Sequence, residues 1–210
     1  MNGEVVLLKE ILVMMVLATP AMGCEAGSPC GALWKRWSES GVLPEISALV
    51  GLELAPEAGM ETAGWEDLTV EGADLSGTLG QDGAGGRYFV LMDGRILLVS
   101  SEGQAGIVAG SGDELLAIAT GLPGWQDALP FVAKPDGAAE WQSYARAWQL
   151  EDVQAGFWQE MRAQGLIQVA AATPKEAGEL LQTRLGVLPA ADGFALLKAA
   201  NATGHDLMIR

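Results

Sequence analysis

Histidine is the side chain that most often moves protons in enzymes, and this sequence contains one, His205. The residues around it, Thr203 to Asp206, are typical of a loop. A Ser-His-Asp or Cys-His site would have to use this residue as its base. Because no partner pattern accompanies it, we interpret His205 as a surface histidine and predict no catalytic triad.

Adjacent carboxylates are the next candidates, at Glu66-Asp67, Asp113-Glu114 and Glu151-Asp152. A glycoside hydrolase needs two acids that face each other across a cleft, which spacing along a chain cannot show. Two of the pairs lie where helices are predicted to begin, and acids there complement the helix dipole. We therefore expect these pairs to be structural and name no catalytic residue, with a carboxylate hydrolase as an alternative.

Metal and phosphate sites find little support. Cys24 and Cys30 are the only cysteines, and with a single histidine they are too few for a zinc site. A disulfide between them would require an oxidising compartment, so we expect free buried thiols. The glycine-rich residues 80–86 lack the Gly-Lys-Ser/Thr ending of a P-loop, and a strand follows them. We predict a flexible turn there, and neither metal nor cofactor.

The composition limits the partners. The 210 residues are 50% hydrophobic, which is enough for a sizeable core, and their net charge is −15. Nucleic acid binding rests on Lys and Arg, so we expect no nucleic acid partner. An acidic surface attracts a basic protein over long range. Many bacterial cytosolic proteins are simply acidic, and this is our first interpretation of the charge; a basic protein partner is the alternative.

The N-terminal apolar run, Val5–Ala18, has two interpretations. Residues 21–24 resemble a lipoprotein cleavage box, but Glu4 precedes the run and Lys9-Glu10 interrupts it. Its uninterrupted part is too short to span a bilayer. We expect a buried core helix in a cytoplasmic protein that does not enter membranes. The alternative is a lipid-anchored envelope protein modified at Cys24.

The stretch that organises the chain is residues 79–127. Asp93-Gly94 separates two runs of β formers, which predicts a hairpin with a two-residue type I′ turn. A third apolar run, Ile107–Ala109, follows. Ser111 and Glu114 then have the spacing of a capping box at the start of a helix. This order predicts a β-meander that leads into a helix.

Helical patterns flank this meander on both sides. Trp65–Val70 is predicted as an edge strand, and Leu166–Ala171 is left undecided between a strand and a buried turn. Within the predicted helix 151–162, Val153, Phe157 and Met161 recur at spacing four, which predicts its apolar face. Trp141 and Trp148 lie seven residues apart, and we expect both in the core, with a protein interface as the alternative. The sequence therefore predicts an α+β fold, with a mostly antiparallel central sheet flanked by helices. Ser28, Thr173 and Asp192 are predicted to begin three further helices as their capping residues. Helices are predicted over these segments: 29–37, 42–52, 112–120, 138–148, 151–162, 174–185 and 193–200.

The central stretch resembles the SUKH superfamily. The resemblance rests on the glycine-rich residues 82–88 leading into a hairpin, on Ser101-Glu102-Gly103 before a strand and short helix, and on residues 122–127, Leu-Pro-Gly-Trp-Gln-Asp. Leu43-Pro44-Glu45 matches half of the usual N-terminal element, but no Asn-Gly follows. The resemblance implies a SUKH-like domain over residues 1–130, with its core at 60–130 and a C-terminal helical extension, 131–210, packed on it.

The same resemblance implies a protein without enzyme activity. Bacterial members are commonly immunity proteins that bind and neutralise toxins, and fungal members are regulatory scaffolds. We therefore expect a protein-binding module, with an immunity protein as the first hypothesis and a scaffold or an envelope protein as alternatives. The predicted partner-binding residues are exposed acids and aromatics near the meander: Glu102, Trp125 and Asp127.

Overall fold

The structure is a computed structural model that describes residues 24–53, 70–71, 74–204 and 208–209. The predicted N-terminal helix, all of the predicted edge strand except Val70, and His205 lie outside the described residues. Eight α-helices lie within them: α1 Pro29–Glu39, α2 Leu43–Val50, α3 Gly112–Gly121, α4 Leu129–Val132, α5 Gly137–Trp148, α6 Leu150–Ala163, α7 Pro174–Leu185 and α8 Gly193–Ala202. A 3-10 turn at Trp125–Ala128 leads into α4.

The described strands form two sheets. They are β1 Leu52–Glu53, β2 Val70–Glu71, β3 Leu75–Asp82, β4 Arg87–Leu91, β5 Ile96–Val99, β6 Ala105–Ala109 and β7 Met208–Ile209. The main sheet has the order β1-β3-β4-β5-β6, and every pair in it is antiparallel. A second, two-stranded sheet pairs β2 with β7. The predicted α+β fold, with a meander flanked by helices, is confirmed.

The three hairpins of the meander share one loop design. In each, two backbone hydrogen bonds enclose a three-residue loop whose last residue is a glycine with positive φ: Gly85 (+87°), Gly94 (+89°) or Gly103 (+78°). This is the pattern of a loop that ends in a G1 bulge. The predicted two-residue type I′ turn at Asp93-Gly94 is therefore wrong, because Met92 belongs to the loop and Asp93 does not adopt positive φ. Residues 83–85, predicted as a flexible turn, form the first of these tight loops.

Helix starts follow the predicted capping residues. Ser28, Ser111, Thr173 and Asp192 each accept a hydrogen bond from a backbone N–H in the first turn of α1, α3, α7 and α8. These bonds satisfy donors that a helix cannot pair internally. Local sequence therefore defines where these four helices begin.

The core packs on both faces of the main sheet. Tyr88, Val90, Ile96 and Leu98 face the larger apolar cluster, which also contains the buried side chains of α1, α2 and α3. The alternate residues form a second cluster with Ala200 of α8: Phe89, Leu91, Leu97, Val99 and Ile107. Side chains beyond residue 130 also belong to the larger cluster, namely Trp141, Trp158, Leu181, Phe194 and Leu197. The core therefore continues without a break across the predicted boundary at residue 130.

Cys24 and Cys30 form a disulfide, with their Cα atoms 5.1 Å apart. The expectation of free thiols is therefore wrong. The backbone N–H of Cys30 donates to Ser76 Oγ of β3 at 2.9 Å, which attaches the disulfide loop to the sheet. Sequence spacing alone could not decide this pairing, since it depends on the redox state of the compartment as well as on geometry.

Candidate functional site

The candidate site is a surface groove of about 740 Å³ beside the main sheet. We refer to it as the groove. Five parts of the chain line it: the end of α2 with β1, the β3–β4 loop, the end of β5, the 3-10 turn, and α6 with the segment after it. The 3-10 turn is the part of the sequence that carries two of the predicted binding residues.

One wall of the groove is apolar and accessible to solvent. Phe157 of α6 and Leu166 are each 62% exposed, and both line the groove together with Met161. Trp158 lies beside them but is buried, and its Nε1 donates to the carbonyl oxygen of Ala171 at 3.2 Å. Buried Trp158 thus anchors this wall, while the side chains of Phe157 and Leu166 remain exposed to solvent.

This exposed wall corrects the predicted orientation of α6. The stripe of Val153 and Phe157, predicted to face the core, is 58% and 62% exposed, and the buried residues of the helix are Leu150 and Trp158. Trp148 at the end of α5 is 63% exposed, so its predicted place in the core is also wrong, although Trp141 is buried. Both apolar stripes of α6 have helical spacing, and spacing does not show which of them meets the sheet.

The groove is acidic as well as apolar. Glu53, Asp82 and Asp127 line it, and among the described residues that line it there is no Lys or Arg. Four ion pairs lie elsewhere on the surface: Lys35–Glu39, Arg36–Asp113, Arg95–Asp93 and Lys134–Glu140. Asp82 Oδ1 accepts from the N–H groups of Ala84 and Gly86, which fixes it in the hairpin loop. The charge at the groove is therefore negative and held in place.

The floor of the groove contains a small hydrogen-bonded network. Gln126 Nε2 donates to Tyr88 Oη at 2.6 Å, and the ring of Trp125 meets the ring of Tyr88 edge-on at 6.2 Å. Burial raises the pKa of the Tyr88 hydroxyl well above its usual value; the hydrogen bond from Gln126 lowers it by less, and Asp82 raises it further. Tyr88 is therefore neutral and acts as an acceptor that orients Gln126.

The predicted binding residues occupy three different settings. Asp127 is exposed and lines the groove. Trp125 also borders it, but only 2% of its surface is accessible, so the expectation of an exposed aromatic at this position is wrong. Glu102 is exposed in the β5–β6 loop and is not a lining residue. Their roles in partner binding stay predictions.

Sequence reasoning missed the other groove residues. Glu53 and Asp82 are far from Asp127 in sequence. The antiparallel register of β1 and β3, which pairs Leu52 with Asp82, brings Glu53 and Asp82 together. Phe157 and Leu166 are apolar, so their sequence pattern suggested the core. An exposed apolar side chain beside an acidic loop becomes visible only in the folded structure.

Two of the carboxylate pairs lie in the first turns of helices, as predicted. Asp113 binds Arg36 and begins α3 together with Glu114, and Glu151 and Asp152 lie in the first turn of α6. Within the described ranges no cluster of three or more potential metal ligands occurs. The helices of that part of the chain include none with the length and apolar character to cross a bilayer.

No family model, no curated protein and no solved structure matches the chain. Membership of the SUKH superfamily therefore stays a prediction that rests on the short sequence motifs.

Proposed function

We propose that this chain is a non-enzymatic protein-binding module, of the immunity type, which neutralises a basic toxin by binding it directly. The observation that carries the proposal is the groove, where exposed Phe157 and Leu166 lie beside three carboxylates, with no cation among the lining residues that the structure describes. Uncovered apolar surface of this kind marks interaction sites in soluble proteins.

The apolar wall and the negative charge contribute differently to binding: the wall to the affinity and the charge to the rate of association. Large apolar and aromatic side chains supply most of the affinity of protein interfaces when they become desolvated. The net charge of −15 attracts a basic partner and accelerates its approach. A toxin that acts on nucleic acid needs basic surface for its own substrate, and an acidic partner can cover that surface.

The resemblance to SUKH proteins supports the same proposal, and a regulatory scaffold of that fold would also bind proteins. The lipid-anchored alternative requires that Cys24 is modified by a lipid. Lipid attachment requires the Cys24 sulfur, which in the structure is bonded to Cys30. One molecule cannot carry both modifications at this atom.

Growth protection tests the proposal. Each basic protein encoded beside this chain is expressed in a laboratory bacterium, alone and with the full chain. We expect one of them to stop growth alone and to permit growth when the chain is present, while both proteins accumulate. The same assay with the chain's Phe157→Ser variant should protect less well. If every toxic neighbour remains toxic although the wild-type chain is abundant, the proposal is wrong.

A further inference from the structure

We infer that the groove takes a basic amphipathic segment of the partner protein, with an apolar side chain against Phe157 and Leu166 and Lys or Arg beside Glu53 and Asp127. This inference rests on the proposed function and adds which part of the surface binds and what chemistry it selects.

The apolar wall sets the first requirement on the occupant. Phe157 and Leu166 extend from α6 and from the segment after it, and each leaves 62% of its surface to water. A purely hydrophilic partner would remove water from these side chains but would offer them no apolar contacts in its place. The occupant therefore presents at least one large apolar side chain.

The carboxylates set the second requirement. Glu53 and Asp127 are exposed, Asp82 is half-buried, and all three border the same cavity. An acidic occupant would bring like charges together at low dielectric, which opposes binding. Lys or Arg on the occupant instead forms charge-assisted hydrogen bonds with these oxygens.

Charge also decides between a foreign partner and a second copy of this chain. Two copies would each carry a net charge of −15, and their approach is opposed by long-range repulsion. In the part of the chain that the structure describes, the groove contributes three acids and no cation to such a contact. The favoured occupant is therefore a different protein, and its segment combines apolar and basic residues.

A synthetic peptide tests this chemistry without knowledge of the partner. The probe is a fluorescein-labelled 14-residue peptide of Leu and Lys arranged as an amphipathic helix, titrated with the full chain and followed by anisotropy. The comparison probe has Glu at every Lys position. We expect the Leu/Lys peptide to bind and the Leu/Glu peptide not to bind.

Matched variants locate the binding. Phe157→Ser and Leu166→Ser should each raise Kd at least tenfold, whereas Leu188→Ser, which removes another exposed apolar side chain outside the groove, should leave it within twofold. The double variant Glu53→Gln/Asp127→Asn should raise Kd by a similar factor and reduce its dependence on salt. Its control, Glu25→Gln/Glu39→Gln, removes the same charge at two exposed positions outside the groove and should change Kd less than twofold.

Three results would overturn the inference. In the first, the Leu/Lys peptide does not bind. In the second, the control variants weaken peptide binding as much as the groove variants do, which would show attraction by net charge alone. In the third, sedimentation shows a dimer that Phe157→Ser separates, which would make the groove a contact between copies. None of these results involves the toxin. A failed growth-protection assay rejects the proposed function, and a failed peptide assay rejects only this use of the groove.

Discussion

Glu45 shows how a single residue connects distant parts of the chain. It lies in the first turn of α2 with 2% of its surface exposed, and its Oε1 accepts from the N–H groups of Ala170 at 2.6 Å and Ala171 at 3.4 Å. The segment that it meets has no regular structure, so these donors have no strand or helix partner there. The carboxylate therefore replaces secondary structure as the acceptor for this turn.

Removing the Glu45 acceptor should destabilise the fold. Glu45→Ala removes the acceptor of the buried N–H of Ala171 and of the partly buried N–H of Ala170, which costs about 1–3 kcal/mol. Glu45→Gln retains an acceptor oxygen and should lose about 1 kcal/mol less. Urea unfolding measures both, with Glu39→Ala, at an exposed position of α1, as a control. An unchanged midpoint for Glu45→Ala would contradict this account of the segment.

Tyr88 should make the protein sensitive to alkali. Its folded pKa is raised by burial, so its neutral form stabilises the fold below the unfolded value of about 10, and this contribution is lost as the pH rises above that value. We expect the wild type to lose stability above about pH 10, and Tyr88→Phe, which cannot ionise, to lose less over the same range. Thermal unfolding between pH 8 and pH 11 measures the difference. Equal slopes for the two proteins would contradict the assignment.

At this scale the sequence predicted local bonds better than distant ones. Ser111, Thr173 and Asp192 were identified as caps because a cap involves residues two or three positions apart. The burial of Trp125 was not foreseen, because it depends on Tyr88, which lies 37 positions earlier in the chain. A sequence pattern contains no direct information on a contact of that separation.

At the scale of elements, the three identical loops explain why the meander forms. Each strand from β3 to β6 pairs with the next strand in sequence, so this part of the sheet needs no long connection. A glycine with positive φ closes every loop, where an L-residue with a side chain would be strained. The loop glycines are therefore conformational requirements of the sheet, and the site on its edge depends on them.

A pair of glycine substitutions separates strain from packing. Gly94 has φ +89°, and a Cβ there would meet nothing within 4 Å; Gly83 has equal space and no positive φ. Gly94→Ala should therefore cost about 1–2 kcal/mol from backbone strain alone. Gly83→Ala should stay within about 0.5 kcal/mol of the wild type. Chemical unfolding measures both, and equal stabilities would contradict the loop geometry.

The orientation of α6 shows where prediction of an element failed. Its bounds agree with the predicted helix to within a residue, since Gly165 and the apolar spacing define them. Its direction relative to the core was wrong, because Val153 and Phe157 form one apolar stripe and Leu150 and Trp158 form another. A helix with two apolar stripes buries one and presents the other, and the presented stripe became part of the groove.

At the scale of the whole molecule, the disulfide bears on the cellular compartment in which the protein is found. Cys24 and Cys30 are six positions apart and are joined beside β3. Disulfides persist in oxidising compartments, whereas the sequence led us to expect a cytoplasmic protein. The state of these two sulfurs in the native host therefore tests the predicted compartment.

We expect the protein isolated from its host under alkylating conditions to carry no label on Cys24 or Cys30 until it is reduced. The double variant Cys24→Ser/Cys30→Ser should lose about 2 kcal/mol of stability, as expected for a short closed loop. Mass spectrometry before and after reduction measures the first result and urea unfolding the second. Two labelled thiols in the unreduced protein would instead support the cytoplasmic prediction. A lipid on Cys24 would establish the envelope alternative.

The most direct test of the central claim is quantitative recovery of the partner. The tagged full chain, its Phe157→Ser variant and its Leu188→Ser variant are purified from the native host at low salt, and co-purifying proteins are measured by mass spectrometry. We predict one basic protein in near-equal amount with the wild type and with Leu188→Ser, and at least tenfold less with Phe157→Ser. No near-equimolar partner, or equal recovery with all three chains, would contradict a partner-binding groove.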